Sequence, residues 1–164
     1  MTEKTGAPEA PEILVIGVGN DFRSDDSVGL QIVRQLRQTL PTQVAVVEID
    51  GDGTDLMQAW KDFKSVFVVD AVQSDGEPGE LLFLDVTSDP LSSIPARSSC
   101  HLFGVGEAIE LARSLNQLPP KLRVYGIEGR SFEFGQSVSP EVEKSATVLL
   151  ERLRDDIRQE LIGF

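Results

Sequence analysis

Three side chains have the types that together hold a divalent metal ion. Asp26 lies in the stretch GVGNDFRSDDSVG (residues 17–29), Asp70 in the apolar run SVFVVDAV (65–72), and His101 in SSCHLFG (98–104). Two carboxylates and one imidazole suit a borderline ion, and three ligands leave coordination positions open. His101 is the only histidine of the chain. Each residue also has a plainer reading. A lone histidine can cap or pack a helix, Asp25 or Asp26 can be a charge at a helix N-terminus, and Asp70 can accept hydrogen bonds from a loop. What decides between these readings is whether the fold brings the three together.

The elements that must position them follow from hydrophobic period. Residues 13–16, Ile-Leu-Val-Ile, form a short continuous apolar run, as in a strand covered on both faces. Gly29, Ile32, Val33, Leu36 and Leu40 then share one helical face, and Pro41 stops the helix. VAVVEI (44–49) reads as a second strand, Leu56, Trp60 and Phe63 as a short helix, and 65–72 as a third, fully apolar strand. The link QSDGEPGE is too short for a helical crossover, so LLFLDV (81–86) is expected as an antiparallel edge strand. A Ser- and Pro-rich loop spans 87–99. Val105, Ala108, Ile109, Ala112 and Leu115 stripe a third helix, and LRVYGIE (122–128) is the fifth strand. The last helix begins at Ser139 as N-cap with Pro140 in its first turn, and Val142, Ala146, Leu149, Leu150, Leu153 and Ile157 are its apolar stripe. This alternation predicts an α/β three-layer sandwich: a five-stranded, mostly parallel sheet with an antiparallel edge strand and helices on both faces. Residues 1–11 offer nothing to bury and read as a flexible tail, leaving 12–164 as one α/β domain.

In such sheets the ligand crevice lies beyond the carboxyl ends of the parallel strands. The strands lead there into the loop of residues 17–26, Asp50, Asp70 and Glu128. An acidic crevice suits a metal ion and repels a phosphate. The dinucleotide reading of GVGNDF fails on the same grounds. Phe22 stands where the third glycine of the fingerprint belongs, and Asp25 and Asp26 occupy the helix N-terminus that a pyrophosphate would need.

Composition narrows the partners. The 164-residue chain carries a net charge of −12 and has a pI near 4.4, which disfavours nucleic acid and anionic membrane. No apolar stretch approaches the roughly 20 residues that span a bilayer, and the N-terminus lacks the apolar core of a signal peptide. The single cysteine, Cys100, excludes an internal disulfide, and with no export signal the cytoplasm is the expected compartment; the chain is expected to act as a monomer.

Taken in order and spacing, GVGNDFRSDDSVG, VVDAV and SCHLFGVGEAIELA resemble the [NiFe]-hydrogenase maturation endopeptidases. That family has a G-x-G-N-x-L-x-x-D-[DE]-G-x-G opening, an aspartate after an apolar third strand, and a histidine opening a later helix. The resemblance extends from residue 13 to the last helix. It implies a protease, aspartyl-type or metal-assisted, that trims the C-terminal extension of a hydrogenase large-subunit precursor after nickel insertion. It also implies that Asp26, Asp70 and His101 meet the nickel, which arrives with the precursor and is not tightly held by the protease. The opening loop then positions Asp26, with Gly17 and Gly19 allowing a tight turn. Three positions depart from the pattern. Phe22 replaces a leucine, a modest change for a buried side chain, and Ser27 replaces a glycine after the acidic pair, which would alter the loop's path. The usual D-G-G-T-x-G element reads Asp50-Gly51-Asp52-Gly53-Thr54-Asp55 with an extra residue, which leaves the identity of the hydrogenase open. Two alternatives stand beside this reading. One is a metal-binding or sensing module of the same fold without proteolysis. The other is a cysteine hydrolase built on Cys100 and His101, a pair that successive helical positions would point about 100° apart.

Overall fold

The computed structural model describes residues 10–50, 53–88 and 102–163. Its centre is β1 (Ile13–Val18), buried at every position. β1 pairs in parallel with β2 (Val44–Ile49) on one side and β3 (Ser65–Val72) on the other. β3 pairs in parallel with β5 (Lys121–Glu128), and β4 (Leu81–Asp85) closes the sheet antiparallel to β5. The order is therefore β2-β1-β3-β5-β4. β4 is the expected antiparallel edge strand, but its neighbour is β5 and not β3: the short link after β3 carries the chain past the position that β5 fills between them.

Helices cover both faces. α1 (Val28–Arg37) and α4 (Pro140–Ile162) share one core with Ile13, Val15, Phe67, Val69 and Tyr125. α2 (Gly53–Trp60) and α3 (Leu102–Ser114) pack with Leu14, Ile16, Val66, Val68 and Val124 on the other face. Alternation along each strand sorts these two sets, and full burial of one such side chain stabilises by about 1.5–3 kcal/mol. Among the described residues, no helix is long and apolar enough to cross a membrane.

Some boundaries differ from the periodic reading. α1 ends at Arg37, but Leu40 still packs on the core, because the Thr39 and Leu40 amides donate back to Leu36 O in a tightened last turn. α2 stops at Trp60, and Phe63 reaches its core from the following turn. β3 continues two residues past Asp70, so Asp70 lies inside the strand, opposite Gly126 of β5. Ser139 does stand at the N-cap of α4 with extended φ/ψ, yet its hydroxyl makes no cap bond to the helix. It is used elsewhere, as described below. The expected tail of residues 1–11 lies almost entirely outside the described residues.

Candidate active site

The chain leaves β1 for β2 on one side and returns to β3 on the other, so β1 and β3 flank the point where strand order reverses. That is where open α/β sheets form their crevice. The glycines of the opening motif act there by close approach. A Cβ on Gly29 would fall 2.6 Å from both Val18 O and Val69 O, so only glycine lets the start of α1 press against β1 and β3 together. A Cβ on Gly17 would meet Gly29 O at 2.7 Å and a Val33 methyl at 2.4 Å. Gly17 sits within β1 and serves this contact; the turn itself falls to Gly19, at φ +153°. A Cβ on Gly19 would lie 1.9 Å from Asp26 O, so this glycine seats the backbone of the acidic pair.

A 3-10 turn, Ser24–Ser27, follows, and it is entirely buried. Within it Asp26 is fully buried, as is Asp70 of β3. Alternation puts Asp70 on the face of Val66 and Val68, the face that α2 and α3 cover. Among the described residues, neither Asp70 carboxylate oxygen accepts a hydrogen bond of normal geometry. Burial first, and then the nearby Asp26 charge, push the Asp70 pKa well above the usual carboxylate range; the Ala71 amide opposes this in part. Two buried carboxylates close enough to couple cannot both ionise cheaply, and such a pair is suited to sharing a proton or meeting a cation. His101 lies outside the described residues, immediately before α3, and so does Cys100. Among the described residues no group of three or more His, Cys, Asp or Glu side chains is assembled to hold a metal ion.

The other acids of the crevice separate by role. Asp25, next to Asp26 and equally buried, is bonded into the loop that follows β5. Its Oδ2 accepts from the Arg130 amide (2.7 Å), the Ser131 amide (3.0 Å) and the Ser139 hydroxyl (2.7 Å), and its Oδ1 from the Ser139 amide (2.6 Å). This is the missing use of the Ser139 hydroxyl. Glu128 accepts from the Ser74 amide and hydroxyl and from the Gly76 amide, and so fixes the link between β3 and β4. Asp50, at the end of edge strand β2, is exposed. Asp21, also exposed, is held in a bidentate pair by Arg34, which draws its pKa down. The sequence could have singled out Asp25 only by its neighbour, since its partners lie more than 100 residues away.

Two of the three departures from the family pattern fall on described residues; the third, the element at 50–55, lies partly outside them. Ser27 has φ −79° and ψ −9°, ordinary right-handed values, so this position does not require glycine. Its hydroxyl donates to Ser24 O (2.8 Å), bracing Ser24, which sits at φ +52°. Ser27→Gly should therefore lower stability by about 1 kcal/mol, through the lost bond and the freer unfolded chain, as thermal melting will measure. Phe22 is not buried: 75% of it is exposed.

The comparisons agree with this architecture. The sequence model of hydrogenase maturation proteases matches residues 30–155. The hydrogenase 2 maturation protease of Escherichia coli is 27% identical over 90% of this chain and 91% of its own. A Methanocaldococcus jannaschii protein named as a hydrogenase maturation protease is 30% identical, over 90% of this chain and 97% of its own. The solved structure of the hydrogenase-maturating endopeptidase HybD from E. coli superposes with a TM-score of 0.74 at 25% identity, covering 91% of this chain and 93% of that one. These relatives and neighbours are peptidases, and the cleaving reading displaces the non-proteolytic one. The chain belongs to the hydrogenase maturation protease family.

Proposed function

We propose that this endopeptidase removes the C-terminal extension of a [NiFe]-hydrogenase large-subunit precursor after nickel insertion, and that Asp26, Asp70 and His101 meet the nickel the precursor brings. The observation that supports this most is the buried Asp26–Asp70 pair at the β1/β3 crevice. Placing two acids there opposes folding, so the arrangement makes sense when a cation or a reacting group enters to complete it. The precursor's nickel supplies positive charge where the carboxylates lack it, and engaging it positions the adjacent peptide bond. The Asp26–Asp70 pair, in which burial disfavours ionising both members, is then the candidate to take up the proton of the attacking water. No strongly bound resident metal is proposed, since three ligands close no site by themselves. The protease acts in the cytoplasm as a monomer in this reading.

The deciding experiment incubates the purified protein with nickel-loaded and nickel-free large-subunit precursor and follows both by mass spectrometry. Loss of one C-terminal peptide is expected from the loaded form alone. Equal cleavage of the nickel-free form would remove nickel from the reading and leave a protease that acts through its carboxylates. A Cys100→Ser variant run in parallel should cut normally; an inactive one would favour the cysteine hydrolase.

A further inference from the structure

Two of the most exposed large apolar side chains belong to the loops that build the site. Phe22 is 75% exposed and Phe134 is 72% exposed, and together they line a cleft of about 630 Å³ with Asp21, Gly135, Gln136 and Ser137. The loops that carry these rings are bonded to each other and to the core. The Gly135 amide donates to Phe22 O (3.0 Å), the Phe22 amide to Asn20 Oδ1 (2.9 Å), and Arg23 Nε to Phe132 O (3.2 Å). The Arg23 guanidinium lies 5.4 Å from the centre of the Phe134 ring. Beneath them, the buried Asp25 carboxylate ties the Ser24–Ser27 turn to residues 130, 131 and 139. The two loops thus form one braced platform with its apolar side chains turned outward.

We propose that Phe22 and Phe134 are the docking surface for an apolar segment of the protein substrate, holding it while its scissile bond enters the acidic crevice. The inference rests on the protease reading above. Three observations favour this occupant. Phe22 precedes Asp26 by four residues in the same loop, and the Phe134 loop is bonded to Asp25, so the rings and the acidic pair are carried by one braced unit. The two rings expose about 300 Å² together, well short of the roughly 800 Å² per partner that a stable complex buries, so the patch alone would not sustain a dimer of this chain. It suits a transient protein partner that gains the rest of its affinity in the crevice. Pre-ordered aromatic side chains also lose little entropy on binding, which makes them effective anchors.

The test compares wild type with Phe22→Ala, Phe134→Ala and the double variant, in steady-state cleavage of nickel-loaded full-length precursor. KM should rise about tenfold for each and about a hundredfold for the pair, with kcat changed less than about twofold. Phe22→Leu should keep a KM near wild type, and melting temperatures should not move, because neither ring is buried. Binding of uncleaved precursor to wild type and the double variant, measured by calorimetry, reads the docking independently of catalysis. Wild type that binds but does not cut would sink the protease reading and leave the docking in place. An unchanged KM and an unchanged affinity in the double variant would overturn the docking surface. So would a wild-type dimer, seen by light scattering, that the double variant dissociates while KM stays the same; the rings would then serve a second copy of this chain.

Discussion

Asp70→Asn should leave the precursor uncut and at the same time make the protein more stable. Loss of a carboxylate that handles the proton or the cation of the reaction should lower kcat/KM by about 10²–10⁴-fold, and Asp26→Asn should do the same. The stability gain follows from the raised pKa of Asp70, caused by burial and by Asp26. In the unfolded chain this carboxyl titrates near its ordinary value of about 3.9. Between that pH and the raised folded value, the folded state binds a proton that the unfolded state has released. Stability of the wild type therefore falls as pH rises through this window, and it is fully present only below about pH 4. An amide of the same shape has no proton to lose. At about pH 7–8 the variant should be more stable by about 1 kcal/mol or more, worth roughly 2–4 °C per kcal/mol in a chain of this size. The difference should shrink toward pH 4. Melting curves of both proteins across that range are the check. A variant that melts lower than wild type by the same amount at every pH would mean that Asp70 is an ordinary structural acceptor.

Asp25→Ala should have the largest effect on stability. It removes the acceptor of four hydrogen bonds, three of them from backbone amides, at a position with no solvent exposure. Donors left buried without a partner cost about 1–3 kcal/mol each when they cannot relax to water. Allowing for partial relaxation, the loss should be about 4 kcal/mol, a fall of about 8–16 °C in melting temperature. Asp25→Asn should be intermediate, because its oxygen can still accept from the Ser139 amide while its NH2 faces the Arg130 and Ser131 amides. Ser139→Ala removes one bond and should cost about 1 kcal/mol. Urea unfolding of the three variants gives the order directly. A cost below about 1 kcal/mol for Asp25→Ala would show that the loop after β5 is held by other contacts.

These two neighbours, Asp25 and Asp26, mark the limit of what sequence can say. Both are aspartates in one buried turn; the resemblance names Asp26, but residue type and period give no reason why Asp25 should be the structural acceptor. The distinction comes from residues 130, 131 and 139, which approach only after β5 has docked beside β3. Glu128 is a similar case. It stands at a strand end facing the crevice, yet the Ser74 and Gly76 donors occupy it. Phe22 misleads in the other direction: its place in the motif suggested a buried leucine substitute, and the loop turns it outward.

What the sequence by itself determined is the set of elements whose burial repeats with a local period. The strands and helices of the described residues, the sandwich of helices on both faces and the antiparallel edge were legible because continuous apolar runs, 3.6-residue stripes and one short link each permit few arrangements. That Asp26 and Asp70 approach one another at the crevice was expected too, since the loop after β1 and strand β3 are neighbours in a sheet of this kind. Only the tertiary structure decided what each polar residue at that crevice does. Gly29 passing between Val18 O and Val69 O, Asp25 claimed by a distant loop, and Asp70 left beside Asp26 are contacts between segments far apart in the chain. Hydrogen-bond partners and buried charge carry no sequence period, so they are set by which surfaces meet once the core has closed.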